Sequence, residues 1–252
     1  MNMRFQNPQL EGDAFLWEAG DVGVLLSHGF TATTAEVRPL AKTLFEAGYT
    51  VSGPLLPGHN TNPEDANLYT WRDWTEVIQS SFQELSHRCR KIYVGGESLG
   101  GLLALYQASI FPEIAGLLIY SPAIRLRSSL APPTARLLAL FLETKQKPKA
   151  IPSAADPLWQ GYTVYPLKAM LQLLAFQKEV LSRLPLIHQP LLIIQGNLDR
   201  SVHPAVPEMI SQKVSSSVKE IHHLNQSGHC VILECERQQV IELTLNFLKR
   251  CS

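Results

Sequence analysis

Lys91-Ile92-Tyr93-Val94 has the apolar, partly β-branched character of a buried strand. It runs without pause into Gly95-Gly96-Glu97-Ser98-Leu99-Gly100-Gly101, and then into the helix-forming stretch Leu102-Leu103-Ala104-Leu105-Tyr106. A strand that turns into a helix this abruptly must hold the residue at its apex in a strained backbone conformation. Glycines two before and two after Ser98 leave room for that, because a Cβ at either position would clash. The Ser98 hydroxyl is then presented on the apex, beside a helix N-terminus that favours negative charge. A Gly-x-Ser-x-Gly turn standing alone would be equally compatible with an idle serine, so the remaining segments decide its meaning.

Those segments alternate regularly. Short strands are expected at 14–17 and 22–26, the latter apolar enough to be covered on both faces. Val37, Leu40, Leu44 and Phe45 recur at helical spacing and predict a helix over 35–47, stopped by Gly48. A strand over 49–56 and a helix over 71–89 precede the Ser98 turn, and another strand is expected at 114–120. Strand and helix in this rhythm imply a mostly parallel sheet with helices on both faces, so ligands are expected at the carboxyl ends of its strands. From 122 to 186 the rhythm breaks. Prolines at 132, 133, 148, 152, 157 and 166 cut the segment, and apolar helical pieces over 135–142 and 167–184 flank a polar stretch at 143–149. The segment reads as a small helical cap, or lid, inserted before the next strand of one domain spanning 1–252, its apolar faces meeting the sheet edge above Ser98. The sheet resumes at 190–196 and 218–224, with helices over 205–212 and 231–249.

Length and composition narrow the rest. The chain has 252 residues, 45% hydrophobic and 17% charged, which suits a single globular α/β domain. Basic and acidic residues number 22 each, with no basic stripe, so nucleic acid is not an expected partner. Residues 1–13 lack the apolar core of a signal peptide, and no stretch is apolar enough for stable membrane insertion. Cys89, Cys230, Cys235 and Cys251 form no C-x-x-C pair, which argues against a zinc site and for reduced thiols in a cytoplasmic protein.

A serine needs a neighbouring base, itself held by an acid, before it acts as a nucleophile. In a sheet of this kind the partners follow in the order Ser, Asp or Glu, His. Asp199 lies just past a strand end, and His229 lies thirty residues later in a Ser-Gly-His loop. Ser98, His229 and Asp199 are thus expected to be nucleophile, general base then acid, and orienting carboxylate. His222 and His223 fall inside a strand, His203 suits a capping or surface role, and His59 in its Pro-Gly-His turn suits packing beneath the site. Asp156 rivals Asp199, but its Asp-Pro context points to turn initiation. Donors for an oxyanion are expected from the main-chain N–H of Leu99 and, in the loop His28-Gly29-Phe30, from that of Phe30, whose ring could also floor an acyl pocket.

Leu26-Ser27-His28-Gly29-Phe30-Thr31, Leu56-Pro57-Gly58-His59, Gly96-Glu97-Ser98-Leu99-Gly100-Gly101, Gly196-Asn197-Leu198-Asp199 and Ser227-Gly228-His229 together resemble the α/β-hydrolase fold. Within it the chain is similar to small bacterial carboxylesterases and monoacylglycerol lipases. The resemblance implies cofactor-free hydrolysis of short to medium-chain carboxylic esters through an acyl-enzyme, with a cap lining an apolar pocket; separately, a monomer or homodimer acting on a small-molecule ester is expected. Phe30, Trp159 and Tyr162 are then the expected substrate-binding side chains. Monoacylglycerol lipases use a polar or acidic cap residue to receive glycerol. Asp156, Gln160 and Tyr162 are the polar residues near that stretch, none matches it closely, and the broader label of carboxylesterase is favoured. Acyl transfer and C–C or thioester hydrolysis use the same triad, and a non-catalytic ligand binder on the same scaffold is the remaining alternative.

Overall fold

The computed structural model describes residues 4–127, 132–148 and 152–251. In chain order, the first half contains β1 (Phe5–Gln6), β2 (Phe15–Trp17), β3 (Val22–Ser27), α1 (Arg38–Glu46), β4 (Thr50–Gly53), the single turn α2 (Pro63–Ala66), α3 (Trp71–Ser86), β5 (Lys91–Glu97), α4 (Leu99–Ala108) and β6 (Gly116–Tyr120). There follow α5 (Pro132–Ala139), β7 (Thr144–Gln146), β8 (Gly161–Tyr162), β9 (Val164–Pro166), α6 (Leu167–Arg183), β10 (Leu191–Gly196), α7 (Val206–Lys213), β11 (Lys219–Leu224) and α8 (Arg237–Arg250). Among the described residues no helix is long and apolar enough to cross a membrane.

Seven strands form the central sheet in the order β11-β10-β6-β5-β3-β4-β2, parallel throughout except for β2, which runs antiparallel to β4. The middle strands are buried on both faces, and their side chains alternate between two cores. Leu25, Ile92 and Val94 join Trp74, Phe82, Leu102 and Phe176 on the side of α3, α4 and α6, whereas Val24, Leu26 and Tyr93 join Leu40, Leu44, Val240 and Phe247 on the side of α1 and α8. The chain builds outwards from β3 in one direction through β4 and β2, and in the other through β5, β6, β10 and β11. The loops leaving neighbouring β3 and β5 therefore diverge, which opens a crevice at their carboxyl ends. Ser27 sits opposite Gly96 in this pair, so the His28 loop and the Ser98 turn leave the sheet side by side.

The expected elements are present, most with shorter bounds, although β3 runs on to Ser27, and α5 and α7 are shifted along the chain at the expected length. The strand expected over 49–56 stops at Gly53, before Pro54. The closing helix starts at Arg237 rather than 231, because Val231, Ile232 and Leu233 form buried turns packed in the α1–α8 core. The proline-rich segment 122–186 is built in two ways, and its residues 128–131 and 149–151 lie outside the described residues. Its α6 packs into the main core: Phe176 stacks on Trp71 at 5.3 Å between ring centres, and Val180 and Leu173 are buried. Asn67 caps that helix from outside it, its Oδ1 accepting from the N–H of Lys168 and Ala169 at 2.9 and 3.1 Å. By contrast, Leu140 and Phe141 after α5 are 76% and 79% exposed. The two-residue β8 pairs antiparallel with β1, which binds this segment to the start of the described chain.

Candidate active site

Ser98 stands between β5 and α4 with φ 56° and ψ −107°, a conformation that a side chain disfavours. The sequence forces it there by leaving no space for anything else. A Cβ on Gly96 would stand 2.2 Å from the carbonyl oxygen of Ser27, and one on Gly100 would stand 2.0 Å from the same atom. The apex is thereby pressed against β3, and Ser98 remains 9% exposed.

His229 Nε2 lies 2.9 Å from Ser98 Oγ, and its Nδ1–H donates to Asp199 Oδ2 at 2.8 Å. The other carboxylate oxygen of Asp199 accepts from the main-chain N–H of Ser201 and Val202 at 2.7 and 3.0 Å. The three side chains thus form one hydrogen-bonded line from three separate strand ends. Burial alone would raise the Asp199 pKa, but the His229 charge and these bonds hold it below the ordinary carboxylate value. Burial alone would lower His229. The carboxylates of Asp199, Glu97 and Glu36 outweigh it and push the imidazole up to about 9.

The loop bearing Phe30 packs against Ser98, a Cβ on Gly29 standing 3.2 Å from Ser98 Cβ, and the N–H groups of Phe30 and Leu99 have no acceptor among the described residues. The loop bearing Phe30 is braced by two buried histidines. His28 Nε2 accepts from the N–H of Leu56 at 3.1 Å, and His59 Nε2 accepts from the N–H of Thr31 at 3.1 Å. Burial first, then the neighbouring His59, lowers His28 to about 3; burial lowers His59 to about 4. Both rings are neutral at pH 7 and can accept these bonds.

Two buried glutamates lie behind the line. Glu36 Oε2 accepts from the N–H of Gly29 at 2.6 Å, and its Oε1 accepts from Trp159 Nε1 at 3.0 Å. Glu97, wholly buried, accepts from the N–H of Ile232 at 3.4 Å. Burial raises the pKa of both, and the Glu36 charge raises Glu97 further. Their support for the His229 imidazolium therefore weakens as pH falls. Neither glutamate stands out in the sequence: Glu97 occupies a variable position of the turn motif, and Glu36 looks like an ordinary surface acid. Among the described residues no three His, Cys, Asp or Glu side chains converge as a metal would need.

The remaining candidates fall in distinct places. Phe30 is partly buried, its ring 6.2 Å from His59 and 6.1 Å from Trp74 between centres. Trp159 is likewise partly buried, beside Glu36. Tyr162, expected to bind substrate, is fully enclosed: its hydroxyl donates to the Gly58 carbonyl at 2.8 Å and accepts from the N–H of Thr61, and its ring stacks on His59. These bonds make it a brace beneath the Pro57-Gly58-His59 turn, with no surface left for a ligand. Gln160 is also committed to the fold, joining Thr33 to the carbonyls of Asn7 and Leu10. Asp156 closes a turn by accepting from the N–H of Ser153 at 3.1 Å. His203 accepts from the N–H of Ala205 at 3.2 Å, and His223 pairs with Glu208 at the surface.

A family model described as serine aminopeptidase, S33 (Hydrolase_4), matches residues 21–236. The chain belongs to this family of α/β-hydrolases. A thermostable monoacylglycerol lipase of Bacillus sp. (strain H-257) is 35% identical to this S33 hydrolase over 250 residues, covering 98% of the chain and 99% of the relative. A carboxylesterase of Bacillus subtilis (strain 168) is 26% identical over 237 residues, covering 94% and 96%. Among solved structures, one reported with LipS and LipT, two metagenome-derived lipolytic enzymes, superposes with a TM-score of 0.87 at 31% identity, covering 96% of this chain and 99% of that one. The monoacylglycerol lipase of Paleococcus ferrophilus shares the fold, with a TM-score of 0.80 at 19% identity and coverage of 96% and 100%.

Proposed function

We propose that this S33 hydrolase cleaves carboxylic esters of short to medium acyl chain, monoacylglycerols among them, through an acyl-enzyme on Ser98. The observation that carries this reading is the unbroken hydrogen-bonded line from Asp199 through His229 to a strained Ser98. Likeness to relatives named for ester substrates supports it.

In the first half-reaction Ser98 Oγ attacks the ester carbonyl while its proton passes to His229 Nε2. Asp199 keeps the proton of Nδ1 in place and stabilises the imidazolium. The oxyanion is received by the N–H groups of Leu99 and Phe30. Collapse of the intermediate expels the alcohol, which takes the proton from His229 and leaves the acyl group on Ser98. Water then attacks that ester with His229 as base, releasing the acid and restoring the serine. The ring of Phe30, with His59 and Trp74 behind it, suits the acyl side. The segment 122–186 serves as a cap over this crevice. A free α-amino group, which an aminopeptidase must hold, would need an available carboxylate. Both oxygens of Glu36 are already engaged by Gly29 and Trp159, which favours esters. A cytoplasmic setting suits four unpaired thiols, and a monomer or homodimer suffices for the chemistry.

The test is a chain-length series of p-nitrophenyl esters and monoacylglycerols on the wild type and Ser98→Ala in parallel. A clear acyl optimum that vanishes in the variant supports the reading. A wild type inert towards every ester overturns it.

A further inference from the structure

Lys147 follows β7 and carries an ammonium group to the cap side of the oxyanion loop. Its Nζ donates to Thr31 Oγ1 at 2.6 Å and lies 4.7 Å from the Trp159 ring centre and 5.3 Å from that of Tyr165. Ring faces attract a cation but supply no counter-charge. Among the described residues no carboxylate stands within 4.0 Å of this nitrogen. The carboxylate acting on it from further off is Glu36, already bonded to Gly29 and Trp159, while burial keeps the neighbouring Cys230 a neutral thiol. The ammonium is buried, yet Thr31 takes only one of its three donors, so two remain without an acceptor among the described residues.

The ammonium belongs to the same cluster as the reacting atoms. Thr31 adjoins Phe30, Trp159 touches the glutamate that holds Gly29, and Cys230 adjoins His229. An ester polarised between Phe30 and Leu99 sends its acyl chain one way and its alcohol towards His229, which must protonate it. Lys147 meets the oxyanion loop at Thr31, one residue beyond Phe30.

We propose that Lys147 selects the alcohol half of the ester by receiving an anionic oxygen group, phosphate or carboxylate, carried on the departing alcohol. This rests on the ester-hydrolase reading above and deepens it. The same acyl chain is placed on glycerol, on glycerol 3-phosphate and on glyceric acid, and kcat/KM is measured for each. A charge-assisted hydrogen bond predicts a preference for the anionic alcohols on the order of tenfold in the wild type, expressed mainly in KM. Lys147→Met brings the ratio close to one and Lys147→Arg keeps it. Because the comparison is a ratio within each variant, partial loss of folded enzyme cancels. Preference for phosphate without carboxylate, or the reverse, identifies the group received. Burial lowers the Lys147 ammonium to about 8, among Glu36, Cys230, His59 and Tyr165 as surrounding titratable groups, so the ratio also falls as pH rises through that value. A wild-type ratio near one, or an equal ratio in Lys147→Met, overturns the inference while leaving ester hydrolysis intact. If the glycerol ester itself is not cleaved, the ester reading falls and takes this inference with it.

Discussion

On its sheet side Ser98 rests against main chain: Gly96 and Gly100 each face the carbonyl of Ser27 at a distance that excludes a Cβ, and buried histidines fix the adjoining loop. On its cap side the main-chain pairing is supplemented by side-chain ties, Lys147 to Thr31, Asn67 to two N–H groups at the start of α6, and Gln177 Nε2 to the Ala123 carbonyl. Backbone contacts cannot be exchanged without losing the turn, whereas each side-chain tie can be replaced at a cost of about 1 kcal/mol. The geometry that makes the serine reactive is therefore built from constraints common to any sequence on this fold. Recognition is left to residues that can change.

Substitutions should separate the two sides by size of effect. Ser98→Ala should lower kcat by at least about 10⁴-fold, and Asp199→Asn by a similar factor through the wrong imidazole tautomer, with urea midpoints close to wild type. Gly100→Ala should destabilise the fold by about 3 kcal/mol or more, seen as a lower urea midpoint, because main chain must move to admit the methyl group. If it folds normally, the main-chain account of the turn is wrong. Glu36→Gln should reduce kcat by about tenfold, as the Gly29 N–H loses a charged acceptor and the oxyanion loop loosens. It should also shift the pH–rate limb to lower pH, since one charge supporting the His229 imidazolium is gone. Asn67→Ala should cost only about 1 kcal/mol of stability, the value of a helix cap.

The pH dependence tests the same contrast. His229 must be neutral to take the Ser98 proton, so kcat/KM should rise with pH and reach half its plateau at about 9. Its folded value lies above the ordinary imidazole value of 6.5, so the stability it contributes is full below 6.5 and fades as pH rises through about 9. Activity and this part of stability thus move in opposite directions over that interval, which a parallel series of rates and urea midpoints would reveal. A flat rate profile between pH 7 and 10 would remove the carboxylates' role in tuning the base.

What could be read from sequence follows the same division. The turn at Ser98, the Asp199 and His229 loops and the His28 loop are marked by glycines and strand ends whose positions the backbone dictates. Helix α6 is marked by its apolar stripe. The pairing of β1 with β8 carries no such mark, because two residues are too few to show a period. Tyr162 looked like a pocket residue because tyrosine is amphipathic, and only the fold reveals that both roles of its hydroxyl are spent on Gly58 and Thr61. Val231 to Leu233 extended the apolar pattern of α8, and burial in turns satisfies them equally well. Glu36 and Lys147 are charged residues that a sequence assigns to solvent; their importance arises from neighbours more than a hundred positions away.

The neutral pair His28 and His59 has a consequence for handling the protein in acid. Unfolded, each imidazole takes up a proton below about 6.5; folded, each refuses it until about 3 and 4 respectively. Acidification from 6.5 towards about 4 favours the opened chain by up to two protons, and by one from there to about 3, all claimed at the loop that bears Phe30 and the turn beside it. Acid damage should therefore begin as a local parting of this loop from the Pro57 turn. Hydrolysis would be lost there while the distant α1–α8 core still holds its shape.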